Sequence, residues 1–185
     1  MNKDNLAFGW SLDATDAFYD HCRIGLQGLG LDFFHFVRVD VKGRRAMLAT
    51  HADWLQLCYD ERLLETSLAL MIHEHLSSGA YPWHEFDQTD PWLERGREQL
   101  GLRAGISIVI RQPNVAYHYH FASVTHDSYD YSQGLQAIYR FIPSFHDKAE
   151  TLLREAYRHA WTIESAPLSA SPIPCSMNYL AMFYR

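Results

Sequence analysis

GLRAGISIVIRQPNVAYHYHFAS, residues 101–123, reads as two strands and the turn between them. Residues 105–111 and 115–123 alternate in the period-two manner of strands, and Gln112-Pro113-Asn114 supplies the turn. Ile106, Ile108 and Ile110 share one face of the first strand, yet Val109 stands on the other, so neither face is fully solvated. The second strand carries His118 and His120 inside a ladder of aromatic residues. Two residues apart on a strand, these histidines lie on one face with Cα atoms roughly 7 Å apart.

The elements around the hairpin set the fold class. Residues 12–26 form a helical stripe through Ala14, Ala17, Phe18, Cys22 and Gly25, and the glycines at 25, 28 and 30 end it. LDFFHFVRVDV then alternates, with Phe33, His35, Val37 and Val39 on one face and Phe34, Phe36 and Arg38 on the other. KGR turns this strand into a second, RAMLAT. Residues 52–75 return to helical spacing, and YPWHEF is a short central strand. Asp90 caps the next helix with Pro91 at its first position, and Gly101 stops it. The last element is a stripe from Leu135 through Ile138, Ile142, Phe145, Ala149, Leu152 and Ala156 to Ala160, with Pro143 expected to kink or split it. Five strands joined by short hairpins, with helices between, predict an α+β fold. It is an α-β-α sandwich with an antiparallel sheet covered on both faces.

Composition narrows the function. The chain has 185 residues, enough for one domain, with 48% hydrophobic and 14% aromatic residues. Its formal charge is −6, and no run of Lys and Arg offers the basic face that nucleic acid requires, so no DNA binding by this chain alone is expected. Cys22, Cys58 and Cys175 are odd in number and lack CxxC spacing, which argues against a disulfide framework or a zinc ribbon. No stretch reaches the ~18 apolar residues of a membrane span, so a cytoplasmic protein without a membrane partner is expected.

Catalytic and metal chemistry find little support. MIHEHL, residues 71–76, lacks the HExxH spacing, because His73 and His75 point to different sides of a helix. His118 and His120 could bridge a metal only with a third ligand from His35 or Glu85. GxSxG, P-loop and GxGxxG motifs are absent. Cys58 lies on an apolar helical stripe, where a cysteine is usually core. No enzyme, no metal and no cofactor is expected.

GLRAGISIVI, preceded by EQLGL and followed by a strand ending in HFAS, resembles the autoinducer-binding domain of LuxR-type quorum-sensing regulators. Gly101, Leu102, Gly105, Ile106, Ser107 and Ile110 match the family's strand motif in order, and Trp54 and Trp83 fit its two tryptophans. The resemblance covers about residues 10 to 160 and is strongest over 98–123. It implies a five-stranded PAS-like sheet with an acyl-homoserine lactone held between sheet and helices. By position, Trp54 donates its indole N–H to a ligand carbonyl, and Tyr59 stands one residue out of register from a family tyrosine. His120 takes the place of a Ser or Thr facing the ligand, with His118 beside it.

Three departures bear on the ligand. Ser67 stands where the family has an aspartate that accepts from the ligand amide, with Glu65 two residues away; Thr50 replaces a tyrosine, and Val109 replaces the motif's proline. Loss of a charge-assisted hydrogen bond costs about 1.5–3 kcal/mol, so a related signal outside the standard lactones, or none, is expected. The candidate ligand-binding residues are therefore Trp54, Tyr59, Ser67, Trp83, His118 and His120. Residues 1–162 are expected to form the sensor domain and 163–185 a linker-like segment with no helix-turn-helix. The expected partners are a small amphipathic molecule and a second copy of the chain, meeting through the long last helix. The alternative is a stand-alone dimerising module, antiactivator-like, that carries no ligand.

Overall fold

The structure, a computed structural model, describes residues 12–63, 77–86, 89–125 and 131–156. In chain order the elements are α1 (Leu12–Gly28), β1 (Phe33–Asp40), β2 (Arg45–Ala49), α2 (Ala52–Asp60), β3 (Gly79–Pro82), α3 (Pro91–Leu100), β4 (Ala104–Gln112), β5 (Val115–Ser123) and α4 (Tyr131–Ala156). The sheet is antiparallel, ordered β2-β1-β5-β4-β3. The β4–β5 hairpin supplies two of its three inner strands and turns on Pro113-Asn114.

Alternation along the strands sorts side chains between two covered faces. Phe34, Phe36, Ile106, Ile108, Tyr117, Tyr119 and Phe121 pack on Phe18, Cys22 and Leu26 of α1 and on Ile138, Ile142 and Phe145 of α4. Phe33, Val37, Met47, Val109 and Ala122 face Trp54, Leu55 and Cys58 of α2 and Trp92 and Leu93 of α3. The α-β-α sandwich follows.

Several expectations change. YPWHEF is not a central strand: β3 ends at Pro82 on the sheet edge, and residues 83–85 form a 3₁₀ turn. Pro82 suits an edge, where a missing N–H leaves no ladder gap. Gly25 does not end α1, which runs to Gly28. A Cβ at Gly25 would meet Phe145 at 2.9 Å and Phe141 at 3.0 Å, so this glycine lets α1 approach α4 closely. Pro143 does not split α4, which is continuous through it. The helical reading of 52–75 is met over Ala52–Asp60, while 64–76 and the segment 163–185 lie outside the described residues.

Candidate functional site

The site grows from β-sheet register. β1 and β5 pair His35 with His120 and Val37 with His118; β4 and β5 pair Ser107 with His120 and Val109 with His118. His35, Ser107, His118 and His120 thereby meet on the face covered by α2 and α3, all of them buried. The His35 and His120 rings lie 5.5 Å apart, and those of His118 and His120 5.9 Å apart.

Tryptophans enclose this group. Asp90 accepts from the Trp92 and Leu93 backbone N–H groups, Pro91 takes the first helical position, and Gly101 closes α3 in the left-handed region at φ 67°. These caps fix the phase that sends Trp92 inward, where its ring lies 5.0 Å from His120, 6.1 Å from His35, 5.7 Å from Trp54 and 4.9 Å from Trp83. Trp83 lies flat on β4, because a Cβ at Gly105 would stand inside its ring. From there its Nε1–H donates to Ser107 Oγ at 2.9 Å, and Ser107 Oγ lies 2.8 Å from His120 Nδ1.

Burial sets the charge state. It holds His35 down to about 3, with the neighbouring His118 acting in the same direction, and holds His120 well below the ordinary histidine range, helped by His35. Both imidazoles are neutral at pH 7. Both His35 nitrogens, His120 Nε2 and Trp54 Nε1 are buried without a hydrogen-bond partner among the described residues. Unpartnered buried groups of this kind each cost about 1–3 kcal/mol.

Of the expected residues, Trp54, Trp83, His118 and His120 come together here. Tyr59 does not: it is 51% exposed, and Cys58, one position earlier, occupies the inward side of α2. Helical spacing explains this, since residue 58 is four from Trp54 and shares its side. Ser67 lies outside the described residues. Thr50 is committed elsewhere, accepting from the Phe34 N–H at 3.0 Å and contacting His51 Nδ1 at 3.1 Å. Tyr117 and Phe121, which could have filled the site, belong to the opposite face.

Trp92 and Cys58 were not expected as site residues, and the roles of His35 and Ser107 became visible only through strand pairing. Burial raises the Cys58 thiol far above the ordinary range, against a smaller pull from the Trp92 indole beside it. Among the described residues no group of three His, Cys, Asp or Glu side chains has metal-holding geometry. No described helix is long and apolar enough to cross a membrane.

No protein-family model and no curated protein matches the sequence. Solved structures do match. SdiA in complex with octanoyl-rac-glycerol superposes with a TM-score of 0.56 at 17% identity, over 77% of this chain and 59% of that one. A structure of Escherichia coli SdiA superposes with a TM-score of 0.57 at 15% identity, over 85% of this chain and 67% of that one. The chain thus spans about 59% of the length of the complexed SdiA. Its sheet order, two covered faces and these superpositions agree: the chain has the fold of the autoinducer-binding domains of LuxR-type regulators.

Proposed function

We propose that the domain senses a small, neutral amphipathic molecule held between the sheet and helices α2 and α3. One observation carries this reading. Four buried polar atoms without a partner among the described residues lie on a face otherwise lined by Trp54, Trp83, Trp92 and Phe33, which is the pattern of an apolar pocket with a few directing groups. A ligand would satisfy those atoms and repay their desolvation. The SdiA structure with octanoyl-rac-glycerol supports an acyl chain with a small polar head as the class to try first. Acyl-homoserine lactones are the second class, and the serine at position 67 argues for weaker binding of their amide than in relatives with a carboxylate there.

On this reading the protein acts in transcriptional control in the cytoplasm, as a homodimer through α4, with DNA contact left to another domain or another chain. Trp54, Trp83, His118 and His120 line the site, the role of Ser67 rests on the sequence resemblance alone, and Tyr59, exposed on α2, takes no part. Thermal melting with octanoyl glycerol and with a series of acyl-homoserine lactones tests the reading. A rise in melting temperature of several degrees that saturates with ligand is expected from at least one of them. Native mass spectrometry showing a dimer without bound molecule, combined with no thermal response to either class, would replace it with the ligand-free interaction module.

A further inference from the structure

The Trp83–Ser107–His120 chain has a direction. An indole N–H only donates, so Ser107 Oγ accepts from Trp83 at 2.9 Å. The serine still has its own hydrogen to place, and the acceptor within reach is His120 Nδ1 at 2.8 Å. If His120 instead donated from Nδ1, the Ser107 hydrogen would have no acceptor in its contacts, and a bare Nε2 would be buried alone. The first arrangement satisfies Trp83, Ser107 and Nδ1 together and leaves one group over, the Nε2–H.

We propose that Trp83 and Ser107 lock His120 as an Nε2–H donor, so that the site selects neutral amphiphiles whose head group presents a carbonyl oxygen to that hydrogen. The inference rests on the sensing function proposed above and adds the specificity-determining residue. Trp54 Nε1–H is a second donor without a partner among the described residues, and His35 brings one donor and one acceptor. These four atoms offer three donors to one acceptor, a balance that suits an acyl ester or ketone carrying a hydroxyl. Gly105 belongs to the device, because only a residue without Cβ lets Trp83 lie where its indole N–H reaches Ser107.

Two measurements test this on the full chain. Nitrogen-15 histidine spectra report the tautomer whether or not any ligand binds, with the His120 signals assigned by their absence in His120→Gln. A bare Nδ1 and a protonated Nε2 are expected, with Ser107→Ala mixing the two tautomers. A protonated Nδ1 in the wild-type protein would overturn the lock.

The second arm compares 1-octanoyl glycerol with its ether analogue 1-O-octyl glycerol, which lacks the carbonyl. The ester is expected to bind at least tenfold more tightly than the ether. His120→Gln, which keeps an amide N–H near the Nε2 position, should retain that preference, and His120→Leu should abolish it. Binding of the ester with the same ratio in wild type and His120→Leu overturns the selectivity while leaving the sensing function standing. No binding of either compound or of an acyl lactone overturns the sensing function and the ligand half with it, and the spectra still decide the tautomer.

Discussion

The two faces of the sheet are made by the same strands and close in different ways. Toward α1 and α4, the alternate residues of β1 and β5 are large rings that satisfy each other. Phe34 and Phe121 stack at 4.6 Å, and Phe18 and Phe145 lie 5.4 and 5.1 Å from Phe34. Polar groups on this side are paired in part. Arg38 meets Glu150 at 3.4 Å, and the Tyr119 hydroxyl meets His146 Nδ1 at 2.9 Å, while Thr15 Oγ1, the Tyr117 hydroxyl and one Glu150 oxygen have no hydrogen-bond partner among the described residues. Toward α2 and α3, the intervening residues of the same strands are His35, His118 and His120. There Ser107, held by Trp83, satisfies one imidazole nitrogen, and at least four buried polar atoms have no partner among the described residues. On the function proposed above, the first face stabilises the domain and the second keeps hydrogen-bonding capacity for a ligand.

This contrast breaks first at Phe34. Phe34→Ala removes a fully buried ring from a stacked cluster and should cost about 3–5 kcal/mol, lowering the melting temperature by roughly 10 °C in calorimetry. A loss below ~1 kcal/mol would mean that the α1/α4 face is not the stabilising one. Gly105→Ala should come next, since its methyl meets the Trp83 ring and must displace it. About 1–3 kcal/mol of overpacking is expected, with loss of ligand response even at temperatures where the variant stays folded.

Acid sharpens the comparison. His35 is depressed from 6.5 to about 3, and His146 on the other face to about 4, both mainly by burial. The unfolded chain binds these protons near pH 6.5 and the native chain does not, so stability is full above that pH. It falls on acidification through the window between about 6.5 and each folded value. The slope is at most ~1.4 kcal/mol per pH unit for each such histidine. Glu150, raised by burial, acts in the opposite sense above the ordinary carboxylate range. His35→Phe should therefore flatten the loss of stability between pH 7 and 5 measured by urea unfolding, and an unchanged slope would mean that His35 is protonated in the native state. The smallest effect belongs to Tyr59→Ala: on the exposed side of α2 it should change stability by no more than about 0.5 kcal/mol and leave ligand response intact.

What the sequence made legible was local. The hairpin announces itself by period-two alternation about Pro113-Asn114, α3 by Asp90, Pro91 and Gly101, and the shared face of His118 and His120 by their spacing. What it hid was long-range. His35 joins the site only because β1 pairs with β5 in the register that sets it opposite His120, and Ser107 only because β4 pairs likewise. The edge position of β3 was legible in Pro82, whose missing N–H suits an edge and not the central strand expected there. Cys58 was legible as core from its place one helical turn after Trp54, and it is buried there, whereas the family register pointed to Tyr59 as the site residue.

Paired variants on the two faces test the central claim most directly. The rise in melting temperature caused by saturating octanoyl glycerol, or by whichever acyl compound binds the wild-type protein, is measured in His120→Ala and in His146→Ala. Each is referred to the same variant without ligand, so that stability lost to the substitution cancels. The rise should vanish or fall severalfold in His120→Ala and persist in His146→Ala. Equal rises in both, or loss confined to His146→Ala, would place the ligand on the other side of the sheet and contradict the assignment.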